Sequence, residues 1–156
     1  MHPVRTFGAP KRLIPSLLLN FLLLFTGKIW AVELVVIGAT EQQKQLIGCV
    51  VDLAAEELTK LAPSQLPLVF VVLEHEQFLE ARYRYRAFKT EQAFSSLASG
   101  RIYLSSYALA DFETAVKYIA HELGHFAANS LFESYAENRA GPIKQKARQA
   151  CHLAKN

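Results

Sequence analysis

The residues best suited to chemistry lie in one short stretch, His121-Glu122-Leu123-Gly124-His125. Two histidines four residues apart on a helix share one face, so both imidazoles can bind a single Zn²⁺ at about 2.0 to 2.1 Å. The intervening Glu122 points to the side of that face, where it can act on a metal-activated water without binding the metal. The spacing therefore predicts a zinc site, one ion per chain, with His121 and His125 as ligands and Glu122 as the catalytic residue.

These residues need a helix that buries one face and presents the other to a cleft. Asp111 suits the N-cap of such a helix, which is expected to end near Asn129. Its apolar side chains recur on one stripe opposite the histidines: Phe112, Val116, Ile119, Leu123 and Phe126. Gly124 costs a helix about 1 kcal/mol relative to Ala, which indicates that a neighbouring segment approaches the backbone closely there.

A catalytic zinc also needs a third protein ligand. No histidine follows in the H-E-x-x-H-x-x-G-x-x-H pattern, which excludes a metzincin. The next segment, Glu133-Ser-Tyr-Ala-Glu137, resembles that of the gluzincin metallopeptidases, particularly the minigluzincins and the HtpX and CAAX-protease group, where a glutamate stands in an E-x-x-A-D context. Here Glu replaces the Asp. Gln92-Ala-Phe and Gly100-Arg-Ile-Tyr-Leu also look like the edge-strand hairpin of that group, so the resemblance covers about residues 92 to 141.

The resemblance implies Glu133 as the third ligand. Glu133 follows His125 by only eight residues, so a tight turn at Asn129-Ser130 is required. Glu137 is easier to reach and is the alternative ligand, and the glutamate that does not bind zinc is expected to orient an imidazole. Ser130-x-x-Glu133 also fits a capping box, which would give Glu133 a purely structural role.

Together these residues predict a zinc metallopeptidase in which Glu122 takes a proton from water and gives it to the leaving amine. Tyr135, Arg139 and His152 are candidates for stabilising the oxyanion. The expected partner is a peptide or protein substrate, which could pair with the hairpin edge near Ala93 as an added strand. The alternative function is a non-catalytic secreted protein that binds zinc or a partner and keeps the zincin fold.

The charge of the chain is concentrated at its N-terminus. The 156 residues carry a formal net charge of +3, but residues 1–31 contain four basic and no acidic groups, which leaves 13 basic and 14 acidic groups after them. Residues 1–31 combine this basic start with an apolar run over 13–25, too short for the roughly 20 residues of a membrane span. We therefore predict a cleaved signal peptide, with an uncleaved anchor as the alternative, and a single exported domain over 32–156, periplasmic or secreted. A net charge of −1 in this domain argues against nucleic acid as a partner, and no stable membrane span is expected after leader removal.

The remaining pattern predicts an α+β, zincin-like fold with a small mixed sheet packed on the H-E-x-x-H helix and a further helix that carries the third ligand. Strands are expected over 32–37 and 66–73, and a hairpin over 92–105. Helices are expected from the Thr40–Gln43 capping box to Pro63, and over 131–150 with an interruption at Gly141-Pro142.

Two features leave alternatives open. Arginine and tyrosine alternate over 82–86, which predicts a strand with three arginines on one face. That face would be either a site for nucleic acid or an acidic substrate, or a solvated sheet edge. Cys49 and Cys151 could form a disulfide in an oxidising compartment or remain separate buried thiols.

Overall fold

The computed structural model describes residues 32–87 and 91–151, which form an α+β arrangement around one mixed sheet. The strands of this part of the chain are β1 (Leu34–Ile37), β2 (Leu68–Leu73), β3 (Ala93–Ser96) and β4 (Arg101–Ser105). The α-helices are α1 (Glu41–Ala54), α2 (His75–Arg84), α3 (Phe112–Ala128) and α4 (Glu133–Ala150). The predicted signal peptide and His152 lie outside the described residues. Within those residues, no helix combines the length and the apolar character that crossing a membrane requires.

The sheet has the strand order β1-β2-β4-β3. β1 and β4 both run parallel to β2, and β3 runs antiparallel to β4. The small mixed sheet and the hairpin over 92–105 are thus confirmed, and Gly100 makes the hairpin turn with a positive φ of 65°. This order places β3 at one edge of the sheet, with β4 as its partner among the described strands.

The two faces of the sheet bury different clusters. The larger core lies between one face and helices α1, α3 and α4; Phe70 and Leu104 of the sheet are fully buried in it, as are Val50 of α1 and Ile119 of α3. Side chains alternate along a strand, so the intervening residues point to the opposite face. There Phe94 and Tyr103 pack with Phe78 of α2 in a second, smaller cluster.

Helix α1 begins as predicted but is shorter. Thr40 and Gln43 exchange the two hydrogen bonds of a capping box. The helix ends at Ala54 rather than near Pro63, because Ala55 and Glu57 bond to carbonyls three residues back and the chain continues as turns. Leu58 still reaches the core from these turns.

The predicted strand over 82–86 is wrong. Arg82 and Arg84 lie in the last turn of helix α2, so the face with three arginines is not formed. Tertiary packing explains the difference: Phe78 is fully buried, with its ring 5.6 Å from that of Phe94, and this contact fixes the helix against the sheet. At the end of the helix, the Tyr85 hydroxyl accepts a hydrogen bond of 3.0 Å from Tyr103.

Helix α4 is continuous, so the predicted interruption at Gly141-Pro142 is also wrong. Pro142 lies inside the helix, where it removes one backbone hydrogen bond and costs about 3 kcal/mol. The helix persists because it buries one face at helical spacing, made of Ala136, Ala140, Ile143 and Ala147.

Cys49 of α1 and Cys151 at the end of α4 form a disulfide, with Cα atoms 6.0 Å apart. The bond joins residues 102 positions apart in the chain. Of the two alternatives for these cysteines, the structure therefore shows the cross-link. It ties the first helix directly to the helix that carries Glu133 and Glu137.

Candidate metal centre

Helix α3 carries three of the predicted site residues and has the predicted limits. The Asp111 carboxylate accepts hydrogen bonds from the backbone N–H of Thr114, at 2.9 Å, and from its hydroxyl, at 2.7 Å. At the other end, Asn129 adopts a left-handed conformation with φ of 48°, which Asn tolerates better than most residues. Because the chain reverses direction there, α4 returns alongside α3.

Helices α3 and α4 approach each other closely at Gly124. A Cβ atom placed on Gly124 would lie 2.3 Å from the carbonyl oxygen of Ala136 and 3.2 Å from the backbone nitrogen of Ala140. Real Cβ atoms do not come this close to backbone, so only glycine fits at this position. The close approach inferred from the sequence is confirmed, and it brings the first turns of α4 over the histidines.

His121, His125 and Glu133 form a group that could hold a metal ion. Their ligand atoms all lie within 4.8 Å of one another. Glu133 Oε2 lies 3.0 Å from His121 Nε2, and its Oε1 lies 3.8 Å from His125 Nε2. The two imidazole planes are nearly perpendicular, with ring centroids 4.9 Å apart. One carboxylate thus faces the Nε2 atoms of both histidines.

The contact at Nδ1 of His125 is consistent with a metal between the two Nε2 atoms and the Glu133 carboxylate. His125 Nδ1 lies 2.8 Å from the carbonyl oxygen of Ser130. A carbonyl oxygen only accepts, so Nδ1 carries a hydrogen, and Nε2, which faces Glu133, is the ring nitrogen left for a metal. The two Nε2 atoms and the Glu133 carboxylate thus face one another, as the ligands of one metal ion would. Two imidazoles and a glutamate are also one of the ligand sets of catalytic zinc sites.

Glu137 contacts the other side of His121. Its Oε1 lies 2.7 Å from His121 Nδ1, and its Oε2 accepts a hydrogen bond of 2.8 Å from Lys144. The hydrogen bond from Lys144 is the main cause that lowers the pKa of Glu137 below its usual value, with a smaller contribution from His121. Glu137 therefore stays ionised and orients the imidazole, while Glu133 faces both Nε2 atoms.

The capping box considered for Ser130 and Glu133 is not formed. The Ser130 hydroxyl accepts from the backbone N–H of Phe132 at 3.1 Å, and the N-cap residue of α4 is Phe132, whose side chain makes no capping bond. The Glu133 side chain is 70% exposed. It is thus available to the histidines rather than engaged at the start of its own helix.

Glu122 is 3% exposed and accepts a hydrogen bond of 2.5 Å from the Ser95 hydroxyl. Burial raises the pKa of Glu122 above that of an ordinary carboxyl group, and the hydrogen bond from Ser95 is the largest opposing effect. The sequence offered no signal for Ser95, because its partner is 27 residues away in the chain. Only the packing of β3 on α3 brings them together.

A cleft of about 220 Å³ opens beside this group. The candidate ligands His121 and Glu133 line it together with Glu122 and with Ala93 of the edge strand; the other lining residues are Glu91, Lys117, Tyr118 and Glu137. The Tyr118 hydroxyl donates a weak hydrogen bond of 3.3 Å to Glu91. The cleft thus combines a candidate metal site, a buried carboxylate and a strand edge.

The predicted oxyanion stabilisers are not brought into this cleft. Tyr135 and Arg139 line a separate depression with Ala128 and Asn138. Helical geometry gives the reason: Glu133 and Glu137 are four residues apart and share one face of α4, whereas Tyr135 and Arg139 lie on another face. The third candidate, His152, lies outside the described residues.

Comparison with known protein families, characterised proteins and solved structures finds no match to this chain. The resemblance to gluzincins rests on the motifs of the sequence, and the function is inferred from the geometry of the site.

Proposed function

We propose that this protein is an exported zinc metallopeptidase of the gluzincin type, with one Zn²⁺ bound by His121, His125 and Glu133 and with Glu122 as general base. The observation that carries the proposal is the arrangement of the two imidazoles, whose Nε2 atoms both face the Glu133 carboxylate. Glu122 supports catalysis rather than metal storage alone, because it lines the same cleft and lies outside the ligand group.

When bound, zinc would polarise the scissile carbonyl and lower the pKa of water in the cleft. Glu122 accepts the proton of the attacking water and passes it to the leaving amine. Glu137 and the Ser130 carbonyl contact the Nδ1 atoms of the two imidazoles, which leaves both Nε2 atoms for the metal. The protein therefore contributes a positioned proton acceptor and an oriented ligand set.

A peptide substrate suits the position of β3. This strand pairs with β4 on one side, and none of the described strands pairs with its other side. An extended peptide can add to such an edge through backbone hydrogen bonds. Because Ala93 of β3 lines the cleft, a peptide bound in this way would pass beside Glu122 and the metal ligands.

Export is supported by the composition of residues 1–31 and by the Cys49–Cys151 disulfide, since such bonds persist in oxidising compartments. N-terminal sequencing of the protein recovered outside the cytoplasm should give a start near Val32. A start at Met1 would instead identify the leader as an uncleaved anchor.

The decisive experiment combines metal analysis with peptide cleavage. The purified protein is expected to contain about one zinc per chain and to cleave fluorescein-labelled casein. Glu122→Gln should retain the zinc and lose at least about 100-fold in kcat, because it removes the general base and no ligand. Glu80→Gln, the same change on the exposed surface of α2, is the control.

Two outcomes would contradict the proposal. A protein without zinc would exclude the metal site, and cleavage that survives Glu122→Gln would exclude Glu122 as the base. A protein that holds zinc but cleaves no peptide would instead be the non-catalytic zinc-binding protein.

A further inference from the structure

Ser95 reaches the site from the edge strand. Side chains alternate along β3, so Ala93 and Ser95 point towards α3, while Phe94 points to the other face of the sheet and packs on α2. Ala93 lines the cleft. Ser95, two residues further along the same face, meets the carboxylate of Glu122 instead.

The contact between Ser95 and Glu122 fixes one half of the carboxylate. The Ser95 hydroxyl donates to Oε2, and among the described residues this is the hydrogen bond that the Glu122 side chain makes. Glu122 is 3% exposed, so bulk water cannot easily replace the hydroxyl as a donor. With Oε2 held, Oε1 is the oxygen that remains available to the cleft.

We propose that Ser95 is a positioning residue that holds the Glu122 carboxylate in the orientation required for proton transfer; this inference rests on the proposed role of Glu122 as the base. A glutamate has three rotatable side-chain bonds, and a displacement of about 1 Å at a reacting group can lower a rate by about 100-fold. Ser95 acts through Glu122 and does not touch the reacting atoms.

The position of Ser95 also links the base to the substrate. β3 is the strand whose free edge suits an extended peptide, and Ser95 projects from that strand onto Glu122. The element that would align the substrate therefore also sets the position of the proton acceptor.

The test compares Ser95→Thr with Ser95→Val. The two side chains have nearly the same shape and both suit a strand, but only Thr keeps the hydroxyl. With fluorescein-labelled casein as the probe, we expect kcat of the Val variant to be about 10- to 100-fold below that of the Thr variant, with KM and zinc content unchanged. Equal kcat values for the two variants would overturn the inference.

A second readout does not depend on activity. In crystal structures of the metal-free proteins, the Glu122 carboxylate should occupy one position in the wild type and in Ser95→Thr, and should leave that position in Ser95→Val. An unchanged carboxylate in Ser95→Val would overturn the inference. Ser99→Ala removes a hydroxyl from the same hairpin that hydrogen-bonds to Ser96 instead of Glu122, and it should change neither readout.

The two readouts separate this inference from the proposed function. If the wild-type protein cleaves no peptide, the function fails and the position of the carboxylate alone decides the role of Ser95. If the wild type is active and the Val variant matches the Thr variant, the function stands and the role of Ser95 fails.

Discussion

The Glu137 carboxylate lies 2.7 Å from Nδ1 of His121, on the side of the imidazole opposite the candidate metal position. Lys144 holds the other oxygen of the same carboxylate at 2.8 Å. Lys144, Glu137 and His121 thus form a continuous chain of charged and polar contacts that ends at the candidate metal site. Each contact in this chain limits the rotation of the next group.

This relationship predicts graded losses of zinc affinity. Glu137→Ala should raise the zinc Kd by about 10- to 100-fold, because partners that orient a ligand histidine typically contribute that much. Glu133→Ala should raise it further, since it removes a ligand. Competition with a chromophoric chelator measures both, with Glu80→Ala on the exposed surface of α2 as the control. A larger loss for Glu137→Ala than for Glu133→Ala would identify Glu137 as the ligand.

Metal removal should destabilise the fold. A ligand that binds the native state stabilises it by about 2.7 kcal/mol when its free concentration is 100 times Kd. Dialysis against a chelator should therefore lower Tm, and added Zn²⁺ should restore it, as followed by circular dichroism. His121→Ala should melt at the same temperature with and without zinc; a zinc-dependent Tm in that variant would argue against the assigned site.

Gly124→Ala should destabilise the protein by about 1 to 3 kcal/mol, because the added Cβ meets the backbone of α4, which cannot rotate away as a side chain can. Gly48→Ala is a matched control on α1, where a Cβ meets nothing within 4 Å. That change should stabilise by up to about 1 kcal/mol through helix propensity. Denaturant unfolding of both variants tests the pair, and a neutral Gly124→Ala would contradict the close packing of α3 on α4.

Loss of the disulfide should cost up to about 4.7 kcal/mol, the chain-entropy value for a loop of about 100 residues. Unfolding of the oxidised protein, of the protein in reductant and of Cys49→Ala/Cys151→Ala measures the difference. The reduced wild type and the double variant should agree, since both lack the cross-link. Equal stability with and without the bond would show that the packing of α4 alone fixes its position.

Local signals in the sequence were sufficient for helix α3 and for the hairpin. The Asp111 N-cap, the apolar stripe of α3 and the Ser99-Gly100 turn each specify structure through neighbouring residues, and each is found as predicted. Local signals did not predict helix α2. Its alternating Arg and Tyr residues fit a strand, and only the burial of Phe78 against Phe94, from another part of the chain, selects the helix.

The parts of the candidate site also differ in whether local or long-range contacts bring them together. The H-E-x-x-H spacing and the turn at Asn129 bring His121, His125 and Glu133 together through local geometry. The contact of Ser95 with Glu122 depends on how β3 packs on α3. The sequence around a serine in a strand does not identify its hydrogen-bond partner. The prediction that Tyr135 and Arg139 lie in the cleft was wrong for a related reason. Both are close to Glu133 in sequence, but they lie on another face of α4.

Because the chain turns at Asn129, the three candidate metal ligands all fall within residues 121–133. Closing so short a loop costs little chain entropy, so the ligands can assemble before the strands of the sheet find their partners. Glu122 depends on the opposite kind of contact, because the hairpin that holds it must first dock on α3. We therefore expect damage to the hairpin to leave the three candidate ligands together while it frees the Glu122 carboxylate from Ser95.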